Sequence, residues 1–393
     1  MATLASTINI IEKIKSADIG VFPQRCVTVR NRNASCRRCA EACTSGAISL
    51  EDNNLVIDPD KCIGCGTCAT RCPTCALEAR RPNDMELQRA VMTAARANNN
   101  VAVIACREIV MAAEGLVDTA KVVGVECLGR VDESLISALA AAGVSKVVLV
   151  QGNCPRCDHA VGLTTAQEVA ATANALMKAW GCPMETVLSQ RFPKSCRSVQ
   201  AKGYDESRRN FFFRAKDDAV DMARIAATEA VREELHMSEP EQPRYIKVMD
   251  DGTLPHFLPD RRERLLDNLA QLGDPTPGLI ETRLWGHVII DVDLCQSCQM
   301  CATFCPTGAI MKFEEGDQMG IDHFPGDCVK CRCCQDVCAH DALTISDEVF
   351  AEDLLTGAVE RITMRGRDPH RFGSKKTQNT MRDVLGCDDI FDR

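Results

Sequence analysis

The chain is constrained most by one spacing of cysteines, C-x2-C-x2-C-x3-C, which occurs three times. The copies run from Cys62 to Cys72, from Cys295 to Cys305 and from Cys328 to Cys338. Thiols at such short intervals bring several soft ligands to one point, which is typical of a metal site. The 393 residues include 25 cysteines but only 2 Trp, 2 Tyr and 12 Phe. We therefore expect metal centres to organise much of the fold.

The end of this spacing is repeated as a half-module. Each copy begins at a cysteine and ends with Ala followed by Ile or Leu. The four copies are Cys43-Thr-Ser-Gly-Ala-Ile48, Cys72-Pro-Thr-Cys-Ala-Leu77, Cys305-Pro-Thr-Gly-Ala-Ile310 and Cys338-Ala-His-Asp-Ala-Leu343. Four half-modules indicate two paired modules. In such a pair, three closely spaced thiolates hold one cubane cluster and the fourth cysteine reaches the other cluster.

This swapped fourth ligand assigns the regularly spaced cysteines to four [4Fe-4S] sets. The sets are Cys295, Cys298, Cys301 and Cys338; Cys305, Cys328, Cys331 and Cys334; Cys43, Cys62, Cys65 and Cys68; and Cys36, Cys39 and Cys72 with one further ligand. The arrangement resembles the bacterial two-cluster ferredoxin. Zinc is the alternative metal, but zinc ribbons use two C-x2-C knuckles without a swapped fourth cysteine.

The first half-module lacks one cysteine. Counting back from Cys43 gives Cys39, Cys36 and then Asn33, where a ligand is expected. We predict that Cys26 completes this set. In the alternative, Cys26 is a buried strand residue, and the cluster has three irons or is completed by Asn33 or water.

The middle of the chain has a different pattern, in which apolar strands alternate with helices. Strands are predicted at 101–104, 121–125 and 146–150. Asp132 is predicted to cap a helix that stops at Gly143, and Thr165 with Glu168 has the pattern of a capping box. These elements predict a compact parallel sheet with helices on its faces.

Cysteines follow each of these strands. Cys106 follows the first strand, Cys127 the second, and Cys154 with Cys157 the third. Ligands bind at the carboxyl ends of parallel strands, so these four thiols are predicted to converge on one metal centre. The alternative is a redox-inert docking domain with buried thiols.

This middle region resembles the small iron-sulfur (delta) subunit that links a nickel-iron hydrogenase to heterodisulfide reductase in methanogens. The residues that carry the resemblance are Cys127-Leu-Gly-Arg-Val-Asp132, Gly143, 147–150, Gly152 and the segment from Cys154 to His159. The resemblance implies one [2Fe-2S] cluster on Cys106, Cys127, Cys154 and Cys157. Ile109 stands where the family has a second cysteine, and Cys154 is closer to Cys157 than is usual there. His159 is a further candidate ligand, but Rieske-type ligation needs a second histidine.

Charge and hydropathy narrow the possible functions. The formal net charge of −9 argues against binding to nucleic-acid phosphates. No apolar stretch reaches the roughly 18 residues of a membrane span, and no secretory signal is evident. So many thiols without a disulfide scaffold favour a reducing, cytoplasmic location.

The predicted fold class is a multidomain α+β protein. Two ferredoxin-like modules, 1–85 and 281–350, flank a parallel α/β iron-sulfur domain at 86–200. A helical, proline-containing linker occupies 201–280, with helices over 211–235 and from Asp260 to Gly273, and a polar tail occupies 351–393. Asp260 with Glu263 is predicted to cap the second of these helices. Five cysteines receive no ligand role: Cys75, Cys182, Cys196, Cys333 and Cys387.

The motifs predict an electron carrier. No nucleotide-binding loop, catalytic triad or flavin fingerprint accompanies the ligand thiols. The resemblance implies a hydrogenase or formate dehydrogenase as one redox partner and a heterodisulfide-reductase-like flavoprotein as the other. Two alternatives are a reductase acting on a disulfide or small thiol compound at the middle centre, and a sensor or scaffold whose clusters are structural.

Metal analysis of anaerobically purified protein tests this assignment. Four [4Fe-4S] clusters and one [2Fe-2S] cluster predict about 18 irons per chain with matching acid-labile sulfide. Fewer than about 14 irons, or zinc in place of iron, would contradict the ligand assignment.

Overall fold

A computed structural model describes residues 18–157, 159–198 and 253–365 of the protein. The helix predicted over 211–235 and Cys387 lie outside these residues. The N-terminal module consists of β1 (Ile19–Val21), α1 (Val27–Arg30), α2 (Arg38–Glu41), β2 (Ile48–Ser49), β3 (Val56–Ile57), α3 (Thr67–Arg71) and β4 (Leu77–Ala79). β1 pairs antiparallel with β4, and β2 with β3. Each half-module thus gives one strand to each two-stranded sheet, which interlocks the halves.

The middle domain contains the predicted parallel sheet. Its elements are α4 (Asp84–Ala97), β5 (Val101–Cys106), α5 (Arg107–Ala112), β6 (Val123–Val125), α6 (Glu133–Ala141), β7 (Lys146–Val150), α7 (Val161–Ala179) and β8 (Glu185–Ser189). The strand order is β6-β5-β7-β8, and every neighbouring pair is parallel. The structure confirms the predicted parallel sheet. It also contains a fourth strand, β8, that the sequence analysis does not predict.

The principal apolar core lies between this sheet and its helices. Ile104 of β5 and Leu149 of β7 pack in one cluster with Leu139 of α6 and Val169 of α7, and all four are fully buried. Strands covered on both faces are expected to be apolar at nearly every position. This explains why β5 and β7 are recognisable as continuous apolar runs.

Three local predictions are corrected. The second strand starts at Val123 rather than at 121, because Asp118 caps a 3-10 turn at Thr119–Lys121. The predicted capping box is wrong, since α7 begins four residues earlier and Thr165 Oγ1 donates to Val161 O within the helix. The predicted cap at Asp260 is also wrong, because Pro259 is the N-cap and no side chain caps the helix.

Part of the predicted linker packs onto the middle domain. It forms α8 (Asp260–Leu272) and β9 (Leu279–Glu281). Leu265 and Leu269 of α8 enter the core beside α6. Asn268 Nδ2 donates to Ser134 O at 3.1 Å, and Arg283 Nε lies 2.6 Å from the buried Glu133 carboxylate. These contacts fix α8 against α6.

The C-terminal module repeats the interlocked topology of the N-terminal one. Its elements are β10 (His287–Ile290), α9 (Met300–Phe304), β11 (Ile310–Glu315), β12 (Gln318–His323), α10 (Cys333–Asp336), β13 (Leu343–Ser346), β14 (Glu348–Phe350) and β15 (Glu360–Met364). β10 pairs with β13 and β11 with β12, while β14 pairs with β9. β15, within the predicted polar tail, adds a third strand alongside β12.

Short 3-10 turns connect these elements. They lie at Pro23–Arg25, Glu51–Asn53, Thr119–Lys121, Leu128–Arg130, Cys154–Arg156, Lys194–Cys196, Pro325–Asp327 and Ala351–Leu354. Within the described residues, none of the helices combines the length and the apolar character needed to cross a membrane.

Replacing Leu269 by Ala tests the docking of α8. The side chain is fully buried against α6, so its truncation should lower the free energy of unfolding by about 2 to 5 kcal/mol. Chemical denaturation of the iron-loaded protein measures the change. Gln271→Ala, an exposed position on the same helix, should change it by less than about 0.5 kcal/mol.

Candidate iron-sulfur centres

The thiols predicted to form the irregular first set surround one cavity. Its volume, counted with its opening to solvent, is about 340 Å³. The cysteines that line it are Cys26, Cys36, Cys39 and Cys72. Cys26 and Cys39 are each 8% exposed. The structure thus brings Cys26 to the place where a fourth ligand is needed, whereas Asn33 is exposed on the surface.

Cys26 has the backbone conformation of a regular first ligand. It directly follows the turn Pro23–Arg25, and Cys328 directly follows the turn Pro325–Asp327. The two cysteines have φ/ψ of −75°/125° and −69°/119°. Cys26 lies between this turn and α1, so the alternative that it is a strand residue is wrong. The shared sequence Phe-Pro-x-x-Cys is the signal for this equivalence, which the longer interval between Cys26 and Cys36 concealed.

A second cavity is lined by a regular set from the C-terminal module. Counted with its opening, its volume is about 370 Å³. The lining cysteines are Cys295, Cys298, Cys301 and Cys338. Cys338 belongs to the other half-module by sequence, so the cavity has the swapped ligand that the repeat predicts.

Electrostatic contacts group the thiols of the remaining two sets. Burial raises the pKa of Cys68 well above its usual range, and Cys65, Cys62 and Cys43 add to the increase. Burial also raises the pKa of Cys334, with Cys331, Cys328 and Cys305 as neighbours. Each group contains one predicted ligand set, and each also includes one cysteine of the neighbouring set, Cys39 or Cys301.

The loops that carry the regular thiols are wound into left-handed turns. The two residues that flank each second cysteine have φ between 50° and 75°. They are Gly64 and Gly66, Ser297 and Gln299, and Lys330 and Arg332. Left-handed backbone is unfavourable for residues other than glycine. Alternating left- and right-handed residues turn backbone N–H groups into a concavity that suits an anionic group, as in many iron-sulfur sites.

The chemistry of these sites fits an iron-sulfur cluster. Burial raises the pKa of Cys26 to about 11 and that of Cys39 to about 12, so four thiolates would be unstable there without a cationic partner. In the described part of the chain, no three His, Cys, Asp or Glu side chains meet closely enough to hold a single metal ion. A cubane, which takes one thiolate at each corner, suits the wider arrangement around the two cavities.

The four middle-domain thiols meet at the carboxyl edge of the sheet. Cys154 interacts electrostatically with Cys106 and Cys157, and Cys127 interacts with Cys154. A side chain at Gly162 would place its Cβ 2.1 Å from Cys127 Sγ. Glycine is therefore required there for the close approach of α7 to this thiol.

Two other groups border the middle-domain thiols. The Glu108 carboxylate adjoins Cys106 at the Gly152 backbone and interacts with Cys154. The N–H of His159 donates to Cys157 Sγ at 3.4 Å, and its ring Nδ1 is buried without a hydrogen-bond partner. The sequence analysis does not predict Glu108, because a carboxylate in the first turn of a helix has no distinctive sequence pattern.

The cysteines left without a ligand role have other contacts. Cys333 is fully buried and donates to Phe304 O, and Cys196 is fully buried beside Asn98 Nδ2. Cys75 receives a hydrogen bond of 3.1 Å from Arg261 Nη2. Cys182 is half-buried at the edge of the principal core.

Arg261 is a further half-buried group that the sequence analysis missed. Its guanidinium also donates to Ala69 O at 2.7 Å and to Cys72 O at 3.1 Å, which places a positive charge behind the set that contains Cys72. It lies in α8, far from the cysteine motifs in sequence, so no local signal could have marked it.

Comparison with known families identifies the two ends of the chain. Residues 34–76 and 294–342 match the family model described as the 4Fe-4S dicluster domain. Both ends therefore carry 4Fe-4S dicluster ferredoxin domains, which support an iron-sulfur electron-transfer role. No curated protein and no solved structure matches the chain. The middle domain lies outside both matched segments, and its resemblance to the hydrogenase delta subunit stays a prediction.

Replacing Cys26 by Ala tests the ligand of the irregular set. If Cys26 is the fourth ligand, the variant should lose up to about four irons per chain, as measured by anaerobic iron and sulfide analysis. Asn33→Ala is the matched control and should keep the full iron content. Unchanged iron in Cys26→Ala would contradict the assignment.

Proposed function

We propose that this protein is an electron-transfer subunit that relays single electrons through four [4Fe-4S] clusters and one [2Fe-2S] cluster. The observation that carries the proposal is the order of the five thiol sets in space. Neighbouring sets adjoin one another, so the row leads from the middle domain through the two N-terminal sets to the two sets of the C-terminal module, both of which meet the N-terminal module.

The first junction joins the middle domain to the N-terminal module. Cys65 Sγ lies 3.6 Å from Thr67 Oγ1. Burial raises the pKa of Cys127 to about 11, and the Thr67 hydroxyl acts against this as a hydrogen-bond partner of the thiol. One buried hydroxyl therefore connects the middle-domain thiols with the set of Cys43, Cys62, Cys65 and Cys68.

The second junction lies within the N-terminal module. Cys39 is near enough to Cys68 to contribute to its raised pKa, although burial is the larger cause. These two cysteines belong to neighbouring ligand sets and pack in the same apolar cluster. The corresponding junction in the C-terminal module is between Cys301 and Cys334.

The third junction joins the two ferredoxin modules. Cys36 packs with Cys298 and Cys331 in an apolar cluster that includes Val27 and Phe304. Polar contacts surround this cluster: Ser35 N donates to Asp336 Oδ2 at 2.8 Å, and Arg38 Nη2 donates to Lys330 O at 2.9 Å. The contact is thus specific, and it brings ligand cysteines of three sets together.

The two ends of the row are the natural places for partner proteins. Cys106, Cys154 and Cys157 are half-buried, as are Cys295 and Cys338 and several ligand cysteines between them, so we propose entry and exit of electrons at the two ends from their position in the row. From the resemblance of the middle domain, we propose a hydrogenase- or formate-dehydrogenase-type donor and a heterodisulfide-reductase-like flavoprotein acceptor. A reducing, cytoplasmic location accompanies this proposal.

A second candidate function is reduction of a disulfide or small thiol compound at the middle centre. It is favoured by the partial exposure of Cys154 and Cys157 and by the adjacent Glu108 carboxylate. A relay and a reductase differ in whether the protein alone turns over a substrate.

Stoichiometric reduction of the full chain distinguishes the two. A relay should take up about five electrons per chain from dithionite, one for each cluster, and should not sustain reduction of oxidised glutathione. Cys127→Ala should lower the uptake by about one electron, while Cys182→Ala should leave it unchanged. Continuous glutathione reduction would favour the reductase, and unchanged uptake in Cys127→Ala would exclude a cluster at the middle centre.

A further inference from the structure

At one equivalent position, one of the four half-modules has a different type of residue from the other three. The residue five places before the first cysteine of each half-module is Val21, Ile57, Ile290 or His323. These positions are structurally equivalent, because the next residue in every case donates its N–H to an alanine carbonyl at 2.8 Å. Three half-modules therefore have an apolar residue where the fourth has histidine.

His323 is completely buried at the end of β12. Its Nδ1 lies 2.9 Å from Glu360 Oε2, on the neighbouring strand β15 and directly opposite in register. The other oxygen of the same carboxylate is 3.1 Å from His287 Nδ1. The carboxylate fixes the ring of His323, since buried histidine needs such a partner to hold one orientation.

The second ring nitrogen of His323 faces a predicted cluster ligand. Nε2 is buried without a hydrogen-bond partner, and besides Glu360 the ring interacts with the Cys328 thiol. Burial raises the pKa of Cys328, but His323, the backbone N–H of Lys330 and the charge of Arg262 together lower it. In the same set, burial raises the pKa values of Cys331 and Cys334 well above the usual range. Cys328 thus differs from Cys331 and Cys334 in having a lowered pKa.

Other positive groups adjoin the same set. Arg30, which is 2% exposed, interacts electrostatically with Cys305 and Cys331. Arg262, 6% exposed, interacts with Cys328. Positive charge and hydrogen bonds next to a cluster favour its more negative, reduced form.

We propose that His323, held by Glu360, is a positioning residue that donates an Nε2 hydrogen bond to the sulfur of Cys328 and raises the reduction potential of that centre. This inference rests on the proposed function, in that it takes Cys305, Cys328, Cys331 and Cys334 as cluster ligands. The centre lies where the two ferredoxin modules meet, so a raised potential makes it the place where an electron rests between them.

His323→Ile, which restores the residue type of the sister half-modules, tests the proposal. In a redox titration of the full chain followed by paramagnetic resonance, one midpoint should fall. A tenfold change in the one-electron equilibrium corresponds to about 59 mV. His323→Gln, which keeps a donor, should shift the midpoint less. Gln318→Ala, at an exposed position on the same strand as His323, should leave the midpoints close to those of the wild type.

A measurement on the unaltered chain makes the test independent of folding. In protein labelled with ¹⁵N in the histidine rings only, electron-nuclear double resonance of the reduced clusters should detect a coupling to a ring nitrogen that is lost in His323→Gln and kept in His159→Gln. Unchanged midpoints in His323→Ile at full iron content, or absence of the coupling, would overturn the proposal. A wild-type protein without iron would instead overturn the proposed function.

Discussion

The convergence of four cysteine sulfurs on one centre is the interaction on which both ferredoxin modules depend. Their strands have only two to six residues, and their apolar clusters include the ligand cysteines themselves, such as Cys39, Cys68, Cys301 and Cys334. Such units have too little apolar surface to fold by burial alone, so binding of the clusters and folding are coupled. Cluster binding also explains the left-handed residues in the C-x2-C loops, because bonds between thiolates and iron can compensate for unfavourable backbone torsions.

The middle domain is stabilised by the burial of apolar side chains, and it holds the two modules in place. Its parallel sheet has a continuous apolar core, and α8 extends that core toward the C-terminal module through Trp285, which is fully buried. Arg261 of the same helix reaches back to the carbonyls beside Cys72. One helix thus links all three regions, and a rigid arrangement of this kind suits a relay, in which the separation between neighbouring centres must stay constant.

Buried or half-buried positive groups accompany the predicted centres, although the chain as a whole has a net charge of −9. Arg30, Arg261, Arg262 and His323 all lie next to ligand cysteines. A cluster with four thiolates is anionic, and these groups offset its charge where water is excluded. Their unequal distribution among the sets gives the protein a means of setting different potentials with the same type of cluster.

The sequence by itself determined the repeated ferredoxin modules and the parallel strands of the middle domain, and it predicted the swapped pairing of the regular cysteines. Thiol spacing and apolar runs act over a few residues, so they can be recognised without a structure. Only the tertiary structure decided that Cys26 lies with Cys36, Cys39 and Cys72, that Thr67 lies between two thiol sets, and that His323 faces Cys328. Those juxtapositions join residues from different loops and modules, and their geometry is set by how strands interlock and helices pack.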